Sequence, residues 1–270
     1  MSVANRIYRD FLMPSRLDDY RRTLEMGLEE GFSAVSVERF WQLLADSAVQ
    51  PDARYLVVRH DIDSDPRTAA QMWDVDRSLG IRGSFYFRLA TLDLELMASI
   101  GAAGGEVSYH YEDLATVAKR QRARTAEDAR SHLPEARESF ARNLESLRKA
   151  SGLSMRVVAS HGDFVNRRLG VANWEILDDP AFRRQVGVDL EVYDDSFMRH
   201  VSSRHCDAGY PNLWESPEPL SAVRRHEHVV YLLVHPRHWQ VNRVVNLHDD
   251  ALRLQEDLAY RMPIKGARRA

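Results

Sequence analysis

Asp61 and Asp63 stand two residues apart in the string Arg59-His60-Asp61-Ile62-Asp63. In an extended chain that spacing points both side chains the same way. Two carboxylates on one side repel, and a cation beside them is the simplest remedy. Histidines recur after later apolar runs: His110 after 106–109, His161 in His161-Gly162-Asp163 after 156–160, and His235 in His235-Pro236-Arg237-His238-Trp239 after 229–234. Aspartate oxygen combined with imidazole nitrogen suits Zn²⁺ or another borderline divalent ion, whereas an all-oxygen Ca²⁺ cage would not use imidazole. On this reading Asp63 and His110 bind metal, Asp61 takes a proton from metal-activated water, and His235 protonates a leaving group. An ion, a base and an acid together make a hydrolase.

The elements that must position these residues alternate between short apolar runs and long polar-faced helices. Strands are expected at 55–58, 84–87, 106–109, 156–160 and 229–234. Helices are expected at 16–31, at 37–45 after the Ser36 cap, from Asp65-Pro66 to Gly80, at 93–103, at 133–150 and near 249–262. Met72 and Trp73 read as packing residues on a helix face. Strand–helix alternation with continuously apolar strands predicts a parallel sheet, and at this length a single closed or nearly closed (β/α) barrel. Sites in such folds lie at the carboxyl ends of strands, where the acidic and histidine residues cluster here. The organisation expected is a helical segment over 1–50, a barrel over 51–262 and a tail over 263–270. Residues 163–225 show short elements without firm order and are a candidate lid.

The chain has 270 residues, with 37 Lys plus Arg against 40 Asp plus Glu for a net charge of −3. No single-sign field is available for nucleic acid or an anionic membrane surface. The longest unbroken apolar run, Val229–Val234, falls far short of the roughly 20 residues that cross a bilayer. The opening residues lack an apolar h-region and cleavage site. The single cysteine, Cys206, forbids an internal disulfide and fits a reducing compartment. The expectation is a cytoplasmic globular protein with a small-molecule substrate. Other histidines have plainer readings: His226 and His228 at the start of an edge strand, and His248-Asp249-Asp250 as a helix N-cap. A cluster of His200, His205 and Cys206 is a weaker metal candidate. Arg59 is placed to pair with the aspartates inside the barrel.

Taken in order, RHDID at 59–63, GIRGSFYFRL at 80–89, GGEVSYHYEDL at 104–114 and LLVHPRHW at 232–239 resemble the polysaccharide deacetylases, in particular a branch marked by R-H-D-[VI]-D. The resemblance covers about 55–240 and implies an incomplete, distorted, seven-stranded (β/α) barrel. It also implies removal of an acyl group, N-acetyl foremost, from a sugar with the help of a divalent metal, most simply Zn²⁺. Carried over by position, Asp61 is the general base, Asp63 and His110 are ligands, and His235 is the general acid. The metal and a backbone N–H near Tyr111 would hold the developing oxyanion. His60, Arg88 and Trp239 fall in or beside the motifs as supporting or substrate-binding residues. The family's second motif carries a further histidine four residues on, where this chain has Leu114, which cannot bind metal. His161 is the substitute third ligand, with Asp113 a weaker choice. The family's arginine–proline segment that holds the base is absent, leaving Arg59 or Arg88 to serve. Loss of the ligand at Leu114 supports an alternative, a non-catalytic barrel that binds carbohydrate or docks a partner. A metal phosphoesterase is less favoured, since it usually wants two metals and more carboxylates.

Overall fold

The computed structural model describes residues 3–208, 213–214 and 218–262. The tail expected at 263–270 lies outside the described residues, as do 209–212 and 215–217 of the candidate lid. The strands are β1 (Phe32–Val35), β2 (Arg54–Ile62), β3 (Ser84–Phe87), β4 (Glu106–Tyr111), β5 (Val157–Ser160), β6 (Leu190–Glu191), β7 (Ser203–Cys206) and β8 (Val229–Val234). Every ladder is parallel, and seven strands follow one path, β6-β5-β4-β3-β2-β8-β7. The sheet curls into a part-barrel that stays unclosed: among the described residues no ladder joins β6 to β7. The expected incomplete (β/α) barrel is therefore what the chain forms.

Side-chain alternation sorts this barrel into two faces. Tyr55, Val57, Tyr86, Val157, Ala159, Tyr231 and Leu233 share an inner cluster, plugged at the amino ends of the strands by Val37 and Phe40. Leu56, Val58, Val230 and Leu232 point outward to pack beneath Leu24 and Met72. Continuing the same parity past each strand's end sends residues 61, 63, 110, 161 and 235 inward. Local signals deliver the helices. Ser36 caps Val37–Ala45 by accepting from the Arg39 N–H, and Asp65 caps Pro66–Ser78 with proline in the first turn. Leu133–Ser151 buries Ala136, Phe140, Leu144 and Leu147 and ends at Gly152, whose φ of +72° suits a residue without a side chain.

Three expectations need correction. The segment 1–50 is not wholly helical, because β1 joins the sheet alongside the first half of β2; four residues are too few to display a period. The last helix is Arg243–Arg261, capped by Asn242, so His248-Asp249-Asp250 lie within it. Asp249 and Asp250 instead pair with Arg237 at 2.8 and 3.1 Å. His226 and His228 precede β8, which is an internal strand between β2 and β7. No described helix is long and apolar enough to cross a membrane.

The outer face carries a buried polar chain that docks helix Leu17–Glu29 on the barrel. The Tyr20 hydroxyl lies 2.6 Å from His60 Nε2 and 2.5 Å from Asp76 Oδ1, and His60 Nδ1 lies 2.9 Å from the Ser84 carbonyl. A phenol has one proton to give. The arrangement that satisfies every contact without a charge has protonated Asp76 donating to Tyr20, Tyr20 donating to His60, and His60 donating to Ser84. Burial drives both groups toward this state, raising Asp76 to about 8 and lowering His60 to about 4. Folding thus takes up a proton at Asp76, whose ordinary value is 3.8. Its contribution to stability is full at low pH and is lost as pH rises through about 8, by at most about 1.4 kcal/mol per pH unit. Asp76→Asn keeps a donor toward Tyr20 but cannot ionise. Its urea midpoint, measured against that of the unaltered protein, should improve steadily between pH 5 and pH 8.

Candidate metal centre and catalytic cleft

The carboxyl ends of β2, β4 and β5 bring Asp63, His110 and His161 together, with one donor atom from each lying within 4.8 Å of the others. Asp63 Oδ1 is 3.1 Å from His110 Nε2 and 3.5 Å from His161 Nε2. The far nitrogens fix the tautomers. His110 Nδ1 meets the Ala159 carbonyl at 3.0 Å, and His161 Nδ1 meets Glu112 Oε2 at 2.9 Å. A carbonyl and a carboxylate only accept, so each Nδ1 carries the hydrogen, and in the neutral ring each Nε2 turns a lone pair toward Asp63. Asp63 Oδ1 itself is buried without a hydrogen-bond partner. Two lone pairs and a carboxylate oxygen thus converge on one electron-rich point, an arrangement that fits a divalent cation of the zinc type. Burial alone would lower the His161 pKa, but Asp63 and Glu112 outweigh it and push it up to about 9, so its Nε2 holds a proton toward Asp63 that a cation would displace.

Asp61 sits beside this cluster, with Oδ2 3.3 Å from His110 Nε2. Both of its oxygens accept from Arg59, Oδ1 from Nε and Oδ2 from Nη2, each at 2.7 Å. Although burial favours the neutral acid, Arg59 outweighs it and holds the Asp61 carboxyl below its ordinary range. Arg59 also donates to the hydroxyls of Tyr231 and Tyr193, at 3.1 and 3.3 Å. Of the two arginines expected to hold the base, Arg59 is the one that does. Arg88 spans the Asp63–His110–His161 cluster instead, donating to the Asp63 carbonyl at 2.9 Å and to both Glu112 oxygens at 2.8 and 2.9 Å.

Across the mouth, His235 rests on Asp207. Its Nδ1 lies 2.6 Å from Asp207 Oδ1, and its backbone N–H donates to Oδ2 at 2.7 Å. Trp239 Nε1 donates to the same carboxylate at 2.8 Å, and His238 Nδ1 lies 3.1 Å from it. With Nδ1 engaged, Nε2 is the His235 nitrogen left to exchange a proton. Burial lowers the His235 pKa, but Asp207 overrides it and brings it up to about 9. Cys206, Asp207 and His235 also lie close enough to share an ion, yet the Asp207 oxygens already meet four nitrogens, which makes this carboxylate an anchor. A cleft of about 690 Å³ opens beside Asp63, His161 and His235, with Arg88, Arg237 and the last helix forming its walls.

The structure thus gathers Asp61, Asp63, His110, His161 and His235 in one place. His60 is not among them: it is fully buried on the outer face and stacked on Phe85 with ring centres 3.9 Å apart, because it alternates with Arg59 and Asp61. The Tyr111 side chain likewise points outward, onto Phe140 at 4.9 Å. Trp239 is fully buried and reaches the site only through Asp207. Asp113, the weaker third-ligand choice, accepts from Tyr109, Ser139 and Asn143 beneath the outer helices. Leu114 beside it is a fully buried core residue. His200, His205 and Cys206 do not converge: His200 lies beside Arg199, and His205 lies 3.0 Å from Ser203 Oγ. Two residues that matter went unassigned in the sequence. Glu112 stands two places after His110 inside a quoted motif, and Asp207 follows a strand in the stretch whose order was obscure. No family model matches the chain, and no curated protein matches it either.

Proposed function

We propose that the chain is a metal-dependent hydrolase that removes an acyl group from an N-acylated sugar. The observation that carries the chemistry is the tautomer lock: both imidazoles give their Nδ1 hydrogens away and present Nε2 to a buried, unpartnered Asp63 oxygen. The sugar rests on the motif resemblance. Asp63, His110 and His161 would hold the ion. A zinc-type cation in that position supplies a Lewis acid and acidifies water.

The chain's own residues supply the rest. Asp61, ionised and immobilised by Arg59, takes a proton at Oδ2, the oxygen nearer the cluster. His235, protonated through its pairing with Asp207, gives one from Nε2 to the departing nitrogen. Arg88 and Glu112 keep Asp63 and His161 in register. The non-catalytic reading drew on Leu114, but the position beside Asp63 and His110 is filled by His161.

Protein purified without chelator should carry about one zinc per chain by elemental analysis. His161→Ala should lose most of that metal, and Glu112→Gln should weaken zinc affinity about 10–100-fold in a chelator competition. Asp61→Asn should keep its zinc while hydrolysis of an N-acylated glucosamine slows about 10²–10⁴-fold. Since His235 acts while protonated, kcat/KM should fall as pH rises past about 9. Asp207→Asn removes the charge that raises this value, so the descending limb should move to lower pH. A limb unmoved by that substitution removes His235 from the acid role.

A further inference from the structure

The walls of the large cleft are dense with charged side chains, and pairing them off leaves one behind. Asp10, Asp249 and Asp250 gather on the buried Arg237 at 3.0, 2.8 and 3.1 Å. Arg6, Arg9 and Arg253 close on the same carboxylates. Asp163 and Glu256 share Lys119, and Asp257 takes Arg261 at 2.7 Å with Arg168 at 3.9 Å. Glu112 holds Arg88. Asp63, the remaining acid of the walls, belongs with His110 and His161. Arg167 is what remains. Its Nη1 donates to the Gly162 carbonyl at 3.3 Å, and among the described residues no carboxylate pairs with it.

That hydrogen bond fixes where the unpaired charge stands. Gly162 directly follows His161, so the Arg167 guanidinium is held beside one of the three residues that converge at the site. Arg167 is exposed and lines the same cleft as Asp63, His161 and His235. A molecule whose amide meets those groups therefore lies alongside it. A guanidinium carries five N–H donors, and the Gly162 carbonyl uses one of them. A planar fork of donors matches a carboxylate or a phosphate, taking two oxygens at once. Neutral hydroxyls gain less from it, since hydrogen bonds between charged partners are the stronger ones.

On the hydrolase reading above, we propose that Arg167 binds an anionic group of the substrate, which is an N-acylated sugar bearing a phosphate or a carboxylate. The anion supplies the partner that the protein leaves out of its own cleft walls. Arg167 then touches a part of the substrate that does not react. It selects charged sugars over neutral ones.

Calorimetric titration of the full chain tests this recognition apart from catalysis. Glucose 1-phosphate, glucose 6-phosphate and glucuronate are compared with glucose, none of which contains an amide. A cation also attracts anions, so titration without added zinc isolates the arginine, and titration with zinc follows. An exposed arginine contributes modestly, so at least one of the three anions should bind about fivefold or more tightly than glucose. The anion that gains most tells phosphate from carboxylate. Arg167→Ala should bring the ratio within about twofold, and Arg167→Lys, which keeps the charge and loses the fork, should fall between. Arg253→Ala, which removes a paired arginine from the same walls, should keep the preference. Equal binding of anions and glucose, a preference that Arg167→Ala leaves intact, or one that Arg253→Ala removes equally overturns the assignment. Arg167-dependent anion binding in a protein that neither holds zinc nor cleaves amides upholds the recognition site and sinks the hydrolase reading. Zinc-dependent cleavage of N-acetylglucosamine and its phosphates at equal rates, without an anion preference, does the reverse.

Discussion

A guanidinium with no exposed surface sits inside the barrel, and the mouth is built on top of it. Arg59 is fully buried, forks onto both Asp61 oxygens, donates to two tyrosine hydroxyls, and has the rings of Tyr86 and Tyr193 at 5.4 and 4.9 Å. Removing one partner of such a pair leaves an uncompensated buried charge, at a cost of about 3–5 kcal/mol. The pair therefore does more than neutralise an acid. Arg59 and Asp61 lie on the same side of β2 as Asp63, so fixing their fork fixes the direction in which the end of that strand delivers its next inward residue. Arg59 is suited to this as lysine would not be, because its planar fork holds both carboxylate oxygens at once.

A second pairing ties neighbouring strand ends to that floor. Arg88 follows β3, Glu112 follows β4 and His161 follows β5, and the Arg88–Glu112–His161 chain, with the Arg88 bond to the Asp63 carbonyl, links the ends of four adjacent strands. On the opposite flank, Asp207 after β7 plays the same part for His235 after β8. Each histidine that faces the mouth thus has one nitrogen committed to the protein. Orientation and protonation are set by partners one shell back.

Much of this was legible in the chain. Strand ends rich in Asp and His, read with the rule that sites lie at the carboxyl ends of parallel strands, point to Asp61, Asp63, His110, His161 and His235, and the barrel follows from the same alternation. The period of two should also have excluded His60 and Tyr111, since each lies one residue from an inward-facing neighbour; reading motifs as contiguous strings hid that parity. Glu112 was invisible for a different reason. Its importance comes from Arg88 and His161, which lie 24 and 49 residues away in sequence. Asp207 follows a strand only four residues long, too brief to declare a period, and its partner lies 28 residues on. The pairing of β1 with β2 escaped notice on the same grounds of brevity.

The unclosed side of the barrel carries a mechanical consequence. The residues that converge on Asp63 sit on the continuous run from β2 to β5, where hydrogen-bonded ladders resist any change of spacing. The flanks bearing Tyr193, beyond β6, and Asp207, beyond β7, terminate at the seam, where among the described residues no such ladder spans the gap. The laddered strands thus carry the converging donors, for which ångström-scale tolerances matter, and the seam lies away from them. Lengthening or reshaping the segment that bridges the seam, 192–202, would leave the laddered half untouched, so a barrel left open in this way can be remodelled at a single joint.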